Sequence, residues 1–225
     1  TENALLAMGV ASESIIRIPW GPQPLEGEDR IGVSGVVRER WGIPRDKRVV
    51  LYPRALEPHY DPLVFVEALS TLTENYPDVC AVVVESGSSV AAVKEAVSQA
   101  GLEDTVRWVS TLATSEFHAL VEESTMVVVT PQTDGTSVSV MEAMVLGTPV
   151  VTSHTSGSAE WVMDGITGWS FPVGSSEGLY SAMARCLDAS NAEISSITDR
   201  AKRLVDFRAG WSRSAEILSK ALKAL

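Results

Sequence analysis

Two carboxylates, Asp134 and Glu142, stand with seven residues between them, and Gly135, Thr136 and Ser137 follow the first directly. A carboxylate accepts several hydrogen bonds, which suits it to sugar hydroxyls. Small residues at the start of a helix let a ligand approach the unpaired N–H groups of the first turn. With the helix dipole, those groups make an end that binds phosphate. Phosphates at the tip, one carboxylate before it and one about two turns in would suit a nucleotide-sugar. On the wheel Glu142 shares a face with Val138 and Val145, so its charge needs a partner. Two simpler readings stay open. Ser139-Val140-Met141-Glu142 is also a capping-box pattern, and Asp134-Gly135 is also an ordinary turn. Arg54 closes the first apolar run. Its planar fork of donors would clamp a diphosphate, or it is simply a solvated or ion-paired arginine. Glu85 to Ser89, with Gly87 at its centre, either lines a cleft or caps the next helix. His59, His118 and His154 share no pattern; His118 is expected on a helix surface and His154 in a loop near the cleft.

These residues sit between short β-branched runs: Val49 to Leu51, Val79 to Val84, Val106 to Val109, Met126 to Val129, Val150 to Thr152 and Gly168 to Phe171. The second and fourth are almost wholly apolar, as expected of strands covered on both faces of a parallel sheet. Helical periods separate them: Leu63, Val66, Leu69 and Leu72 after Asp61-Pro62, then Val90, Val93 and Val97, then Phe117, Leu120 and Val121. Alternation of this kind predicts an α/β domain over residues 48–190, a doubly wound, mostly parallel Rossmann-like sheet of six strands. Residues 1–47 read as a connecting segment with a short helix, a strand at Ile15–Ile18, a Gly- and Pro-rich loop from Pro19 to Gly27 and a helix near Ile31–Trp41. Residues 191–225 read as helices interrupted around Phe207 to Trp211. One stripe holds Ile194, Ile197, Ala201 and Leu204, the other Ala215, Leu218, Leu222 and Leu225.

The first strand lacks a following G-x-G-x-x-G, and the chain holds no G-x-x-x-x-G-K-[ST], G-x-S-x-G, H-E-x-x-H or C-x-x-C. Dinucleotide, P-loop, serine-hydrolase, zinc and dithiol chemistries therefore lose their support. The 225 residues are 45% hydrophobic and 21% charged, which excludes disordered, collagen-like and coiled-coil classes. A chain this long buries roughly 70% of its unfolded surface, enough for a core without disulfides. Eighteen basic against 29 acidic side chains leave a net charge of −11, which would repel nucleic acid and anionic lipid. No apolar run is long enough to span a bilayer, and Thr1 to Ser14 does not read as a signal peptide. Cys80 and Cys186 lie in apolar contexts and are expected as free buried thiols of a cytoplasmic protein.

Taken together, the motifs resemble the C-terminal domain of the group 1 glycosyltransferases, retaining enzymes of the GT-B fold related to glycogen and sucrose synthases. The family's E-x7-E followed by A-M-A-x-G-x-P-V-V is matched by Asp134, seven residues, then Glu142-Ala143-Met144-Val145-Leu146-Gly147-Thr148-Pro149-Val150-Val151. Gly157 to Gly168 is similar to its G-x-x-E-x-v-x-x-G-x-x-G, and Ile18-Pro19-Trp20-Gly21 to its interdomain I-P-N-G. The likeness runs over about residues 15–215. It implies that Glu142 binds the ribose, Asp134 contacts the donor sugar, and the backbone at Gly135, Thr136, Ser137 and Val138 holds the phosphates with Arg54. Ser110, Thr111 and Leu112 would lie near the base, and Trp211 would be the aromatic of a helix crossing back to an N-terminal domain. Two departures stand out. The first Glu is Asp134, one methylene shorter, and the usual Lys five residues after the arginine is replaced by His59 beside Tyr60.

The resemblance implies a donor-binding domain, one half of a GT-B enzyme. It would take a nucleoside-diphosphate hexose as donor, with a glycan, lipid or small molecule as acceptor, and need no metal or other cofactor. The acceptor site, and any contact with a membrane surface, would belong to the N-terminal half. Alternatively, the two departures mark a non-catalytic module that binds nucleotide-sugars or acts as a scaffold.

Overall fold

The computed structural model describes residues 2–16, 18, 21–22, 35–110, 112–135 and 137–223. The six apolar runs become six parallel strands: β1 (Arg48–Tyr52), β2 (Val79–Val84), β3 (Val106–Val109), β4 (Met126–Val129), β5 (Val150–Ser153) and β6 (Trp169–Phe171). They pair in the order β3-β2-β1-β4-β5-β6. Side chains alternate between two cores, as a period of two requires. Val50 and Tyr52 of β1 join one core; Val49 and Leu51 join the other. Because each face is covered by helices, both alternating sets are apolar, and this is why the runs are continuous.

The first core lies under α3 (Pro62–Asn75), α4 (Val90–Gln99) and α7 (Ser176–Asp188). Pro62 begins α3 where its missing N–H costs nothing, after Asp61 in the left-handed region at φ 47°. Val66, Leu69 and Leu72 are buried as the spacing predicts, but Leu63 points outward. A step of three drifts around a helix of 3.6 residues per turn, and Val64 and Phe65 take the inward place. The second core lies under α2 (Val36–Arg40), α5 (Thr114–Glu122), α6 (Val138–Leu146) and α8 (Asn191–Ala209). Gly147 at φ 82° ends α6 in the left-handed conformation that glycine adopts without penalty.

Before β1, α1 covers Glu2–Ala7, and a 3₁₀ turn covers Ser12–Ser14. The strand expected at Ile15–Ile18 does not form over its described residues Ile15, Ile16 and Ile18, which join no ladder. Arg17, Pro19, Trp20, residues 23–34 and Leu225 lie outside the described residues. Gly21 is buried where any Cβ would collide with the carbonyl of Ala209, so this segment meets the end of α8. Gly210 separates α8 from α9 (Trp211–Lys223). On α8, Ile197 and Ala201 are buried; on α9 the expected stripe is exposed, with Leu218 41% and Leu222 62% accessible.

Both cysteines are free and buried. Burial pushes the Cys186 thiol from an ordinary 9.0 up to about 12. The unfolded chain loses this proton first, so the contribution is present below pH 9.0 and is lost as pH rises toward 12. Neither thiol should react with a thiol reagent at neutral pH until the chain unfolds. Labelling with and without denaturant, read by mass spectrometry, checks this; rapid native labelling of Cys186 would contradict it.

Candidate functional site

The strand order reverses between β1 and β4, so the connections leaving their carboxyl ends diverge and open a crevice, the usual ligand position in such sheets. Arg54 arrives from β1; Asp134 and Ser137 arrive from β4. They meet there. Arg54 Nη2 lies 3.4 Å from Asp134 Oδ2, and both side chains are 14% exposed. Arg54 Nη1 donates to Ser137 Oγ at 3.2 Å. The guanidinium carbon lies 3.9 Å from the centroid of Tyr60, a cation–π contact.

Tyr60 is itself held. Its carbonyl accepts from the Tyr52 hydroxyl at 2.9 Å and from Thr130 Oγ1 at 2.6 Å. The Gln132 N–H donates to the His59 carbonyl at 2.9 Å. The loops after β1 and β4 are thereby tied together beneath the arginine. Burial drives the Tyr52 phenol well above its ordinary value, so it stays a neutral donor. At the position of the usual lysine, His59 is exposed and its ring packs on Tyr60 at 4.0 Å. It is the tyrosine that supports Arg54.

Ser137 is the N-cap of α6, but its side chain makes no capping bond; it turns to Arg54 and to Ser139 Oγ at 3.3 Å. Among the described residues, the first-turn amides of α6 therefore have no side-chain cap. Gly135 has open space on the side where a Cβ would stand, and Val138 is 38% exposed at the tip. Beneath them Gly157 presses on the backbone, where a Cβ would collide with the carbonyls of Asp134 and Gly135. That turn is pinned by Ser158 Oγ, which donates to the Ser153 carbonyl at 2.6 Å. Gly157→Ala should displace the Asp134–Gly135 segment and destabilise the fold by about 1–3 kcal/mol, the usual cost of overpacking. A denaturant midpoint unchanged from the parent chain would show that the segment yields freely.

Glu142 does not close a capping box on Ser139. The helix begins at Val138, so Ser139 is already inside the first turn and cannot be its cap. Instead Glu142 Oε1 lies 3.3 Å from His118 Nε2. His118, expected on the surface, is only 5% exposed. It precedes the buried Val121 by three residues and shares its helical face, the one spacing signal that marked it. Gly87 has φ 109°, and a Cβ there would meet the Leu56 backbone at 2.6–2.8 Å. The Leu56 N–H donates to the Ser86 carbonyl at 2.6 Å, and the Ser89 N–H donates to the Leu56 carbonyl at 2.8 Å. Gly87 thus lets the loop after β2 close on the loop carrying Arg54. Leu112 is half-buried against the core under α5 and α6. Thr111 and Thr136 lie outside the described residues.

A cation, a helix N-terminus and a carboxylate thus meet at the switch point of a doubly wound α/β sheet, where such folds take their ligands. Residues 35–203 match the family described as glycosyl transferases group 1, and the chain belongs to that family. The D-inositol 3-phosphate glycosyltransferase of Corynebacterium aurimucosum is 28% identical over 175 residues, 75% of this chain and 41% of that protein. The amylovoran biosynthesis glycosyltransferase AmsK of Erwinia amylovora is 29% identical over 144 residues, 60% of this chain and 35% of its own length. The chain thus spans about two fifths of the length of the curated relatives it matches. Among solved structures, Anabaena HepE in complex with UDP and glucose superposes with a TM-score of 0.84 at 20% identity, over 100% of this chain and 61% of that one. The C-terminal domain of the group 1 protein LpcC from Francisella tularensis gives 0.66 at 18% identity, over 84% and 95%. The fold is that of the C-terminal domain of a GT-B glycosyltransferase.

Proposed function

We propose that this chain is the donor half of a retaining hexosyltransferase that uses a nucleoside-diphosphate sugar. The observation that carries the reading is the meeting of Arg54, Asp134 and Ser137 at the uncapped end of α6. The complexes of HepE with UDP and with UDP-glucose support the donor class. Arg54 and the helix amides take the diphosphate, and Glu142 takes the ribose. Asp134 exchanges its arginine for a hydroxyl of the sugar. As the glycosidic bond breaks, negative charge grows on the departing diphosphate, and preorganised donors stabilise it there. That positive charge comes from the protein, so the reading requires no metal. The acceptor belongs to an N-terminal domain, toward which α8 and the exposed stripe of α9 would cross. The reaction takes place in the cytoplasm.

Calorimetry of the 225-residue chain with UDP, GDP and ADP tests the assignment. One of them should bind, and none of the corresponding sugar donors should be consumed by this chain alone. Absence of heat with all three from folded protein would remove the assignment. The Asp134 and His59 departures favour a second reading, a binding module without transfer. It gains support if joining the chain to an acceptor domain restores no transfer although a nucleotide binds.

A further inference from the structure

One buried side chain is not accounted for by the core or by the donor site as assigned. His118 is 5% exposed, and its Nδ1 is buried with no hydrogen-bond partner among the described residues. Among the described residues the ring's one polar contact is Nε2 to Glu142 Oε1, at 3.3 Å. An imidazole on an otherwise apolar helix face costs desolvation that a leucine would avoid. An ionised carboxylate only accepts, so Nε2 must carry the proton and donate. The geometry therefore describes a donor directed at one oxygen of Glu142.

His118 and Glu142 are each the fifth residue of their helices, α5 and α6, which follow β3 and β4 and pack together on one sheet face. They lie at the same depth below the carboxyl edge of the sheet. Leu120 and Val121 on one side and Met141 and Met144 on the other are buried, so the two helices cannot slide. Glu142 keeps 21% side-chain exposure, and its Oε2 accepts no hydrogen bond from a described residue. One oxygen is tied down and the other is left to a ligand.

We infer that His118 is a positioning residue: it orients the Glu142 carboxylate and through it sets the preference of the site for ribose over deoxyribose. The inference rests on the donor-site reading above. Holding a long acidic side chain in its bound rotamer before the ligand arrives removes an ordering cost from binding.

The test uses the 225-residue chain, whichever of UDP, GDP and ADP binds most tightly, its 2′-deoxy counterpart, and inorganic pyrophosphate. His118→Leu should weaken the ribonucleotide by roughly 3–10-fold, the loss expected for one side chain no longer preordered. The ratio of ribo- to deoxyribonucleotide affinity should shrink, and pyrophosphate affinity should stay level. His118→Gln, which can place an amide N–H near the same point, should keep most of the ratio. An unchanged ratio in His118→Leu overturns the inference, and so does an equal loss for all three ligands, which would mark a merely structural role. If His118→Leu does not fold, His118→Gln is compared with the shorter His118→Asn. Retention in the first and loss in the second supports the inference; identical behaviour overturns it. A parent chain that binds no nucleotide defeats the donor-site reading itself, whereas normal parent binding with an indifferent His118 defeats the positioning role alone.

Discussion

Replacing Arg54 by methionine should weaken nucleoside diphosphate binding by about a hundredfold or more. Among the described residues Arg54 is the one cation that meets the end of α6, where it touches both Asp134 and Ser137. Each charge-assisted hydrogen bond is worth about 1.5–3 kcal/mol, and a planar fork supplies two at once to a phosphate. Two such bonds correspond to a loss on the order of 10²–10⁴ in affinity. Methionine keeps an aliphatic stem against Tyr60, so the packing is largely spared. Stability should still fall by about 1–3 kcal/mol, because the Asp134 carboxylate, 14% exposed, is left without its counter-ion. Adding Asp134→Asn should restore that stability and leave binding lost. Asp134→Asn alone should tighten the bare nucleoside diphosphate several-fold, because the phosphate no longer competes with a carboxylate for the guanidinium. Calorimetry and denaturant titration of the three variants separate these effects. Undiminished affinity in Arg54→Met would place the phosphate elsewhere.

What was legible in the sequence follows the range of the interactions. The inner strands β1, β2 and β4 were legible because each is covered on both faces, which writes a nearly continuous apolar run into four to six residues. The two ends of α6 were legible from local features, its start from Gly135 and Ser137 and its stop from Gly147. The partnerships were not. Arg54 and Asp134 are brought together by β1 and β4 pairing, Val50 with Met126 and Leu51 with Val127, across eighty positions of chain. His118 meets Glu142 only because two neighbouring helices share a face of the sheet, and a single helical wheel carries no trace of a second helix. Local patterns also misled where tertiary structure chose otherwise. Ser139 fits a cap, but Ser137 takes that place and the helix starts at Val138. Ile15 to Ile18 has strand-like residues, yet no sheet edge accepts them.

Glu142→Ala should separate the two halves of a nucleotide. The ribose hydroxyls would lose an ionised acceptor, worth about 1.5–3 kcal/mol, or roughly 10–100-fold in affinity for a ribonucleoside diphosphate. Pyrophosphate should bind as before, because Arg54 and the tip of α6 remain. Helix capping is not at stake, since Ser137 rather than Ser139 precedes the first turn and Glu142 makes no bond back to it. A stability loss is nonetheless expected from another source. Truncation leaves His118 Nε2 buried without its acceptor, alongside an Nδ1 that already has none. That costs about 1–3 kcal/mol. The double variant with His118→Leu should recover most of it, because an apolar pair replaces an unsatisfied ring, while ribonucleotide affinity stays low. Recovery of stability without recovery of binding is the pattern that distinguishes a carboxylate serving a ligand from one serving the fold. If the double variant instead binds as the parent does, the pentose is not held by Glu142, and the ligand lies along some other part of the crevice.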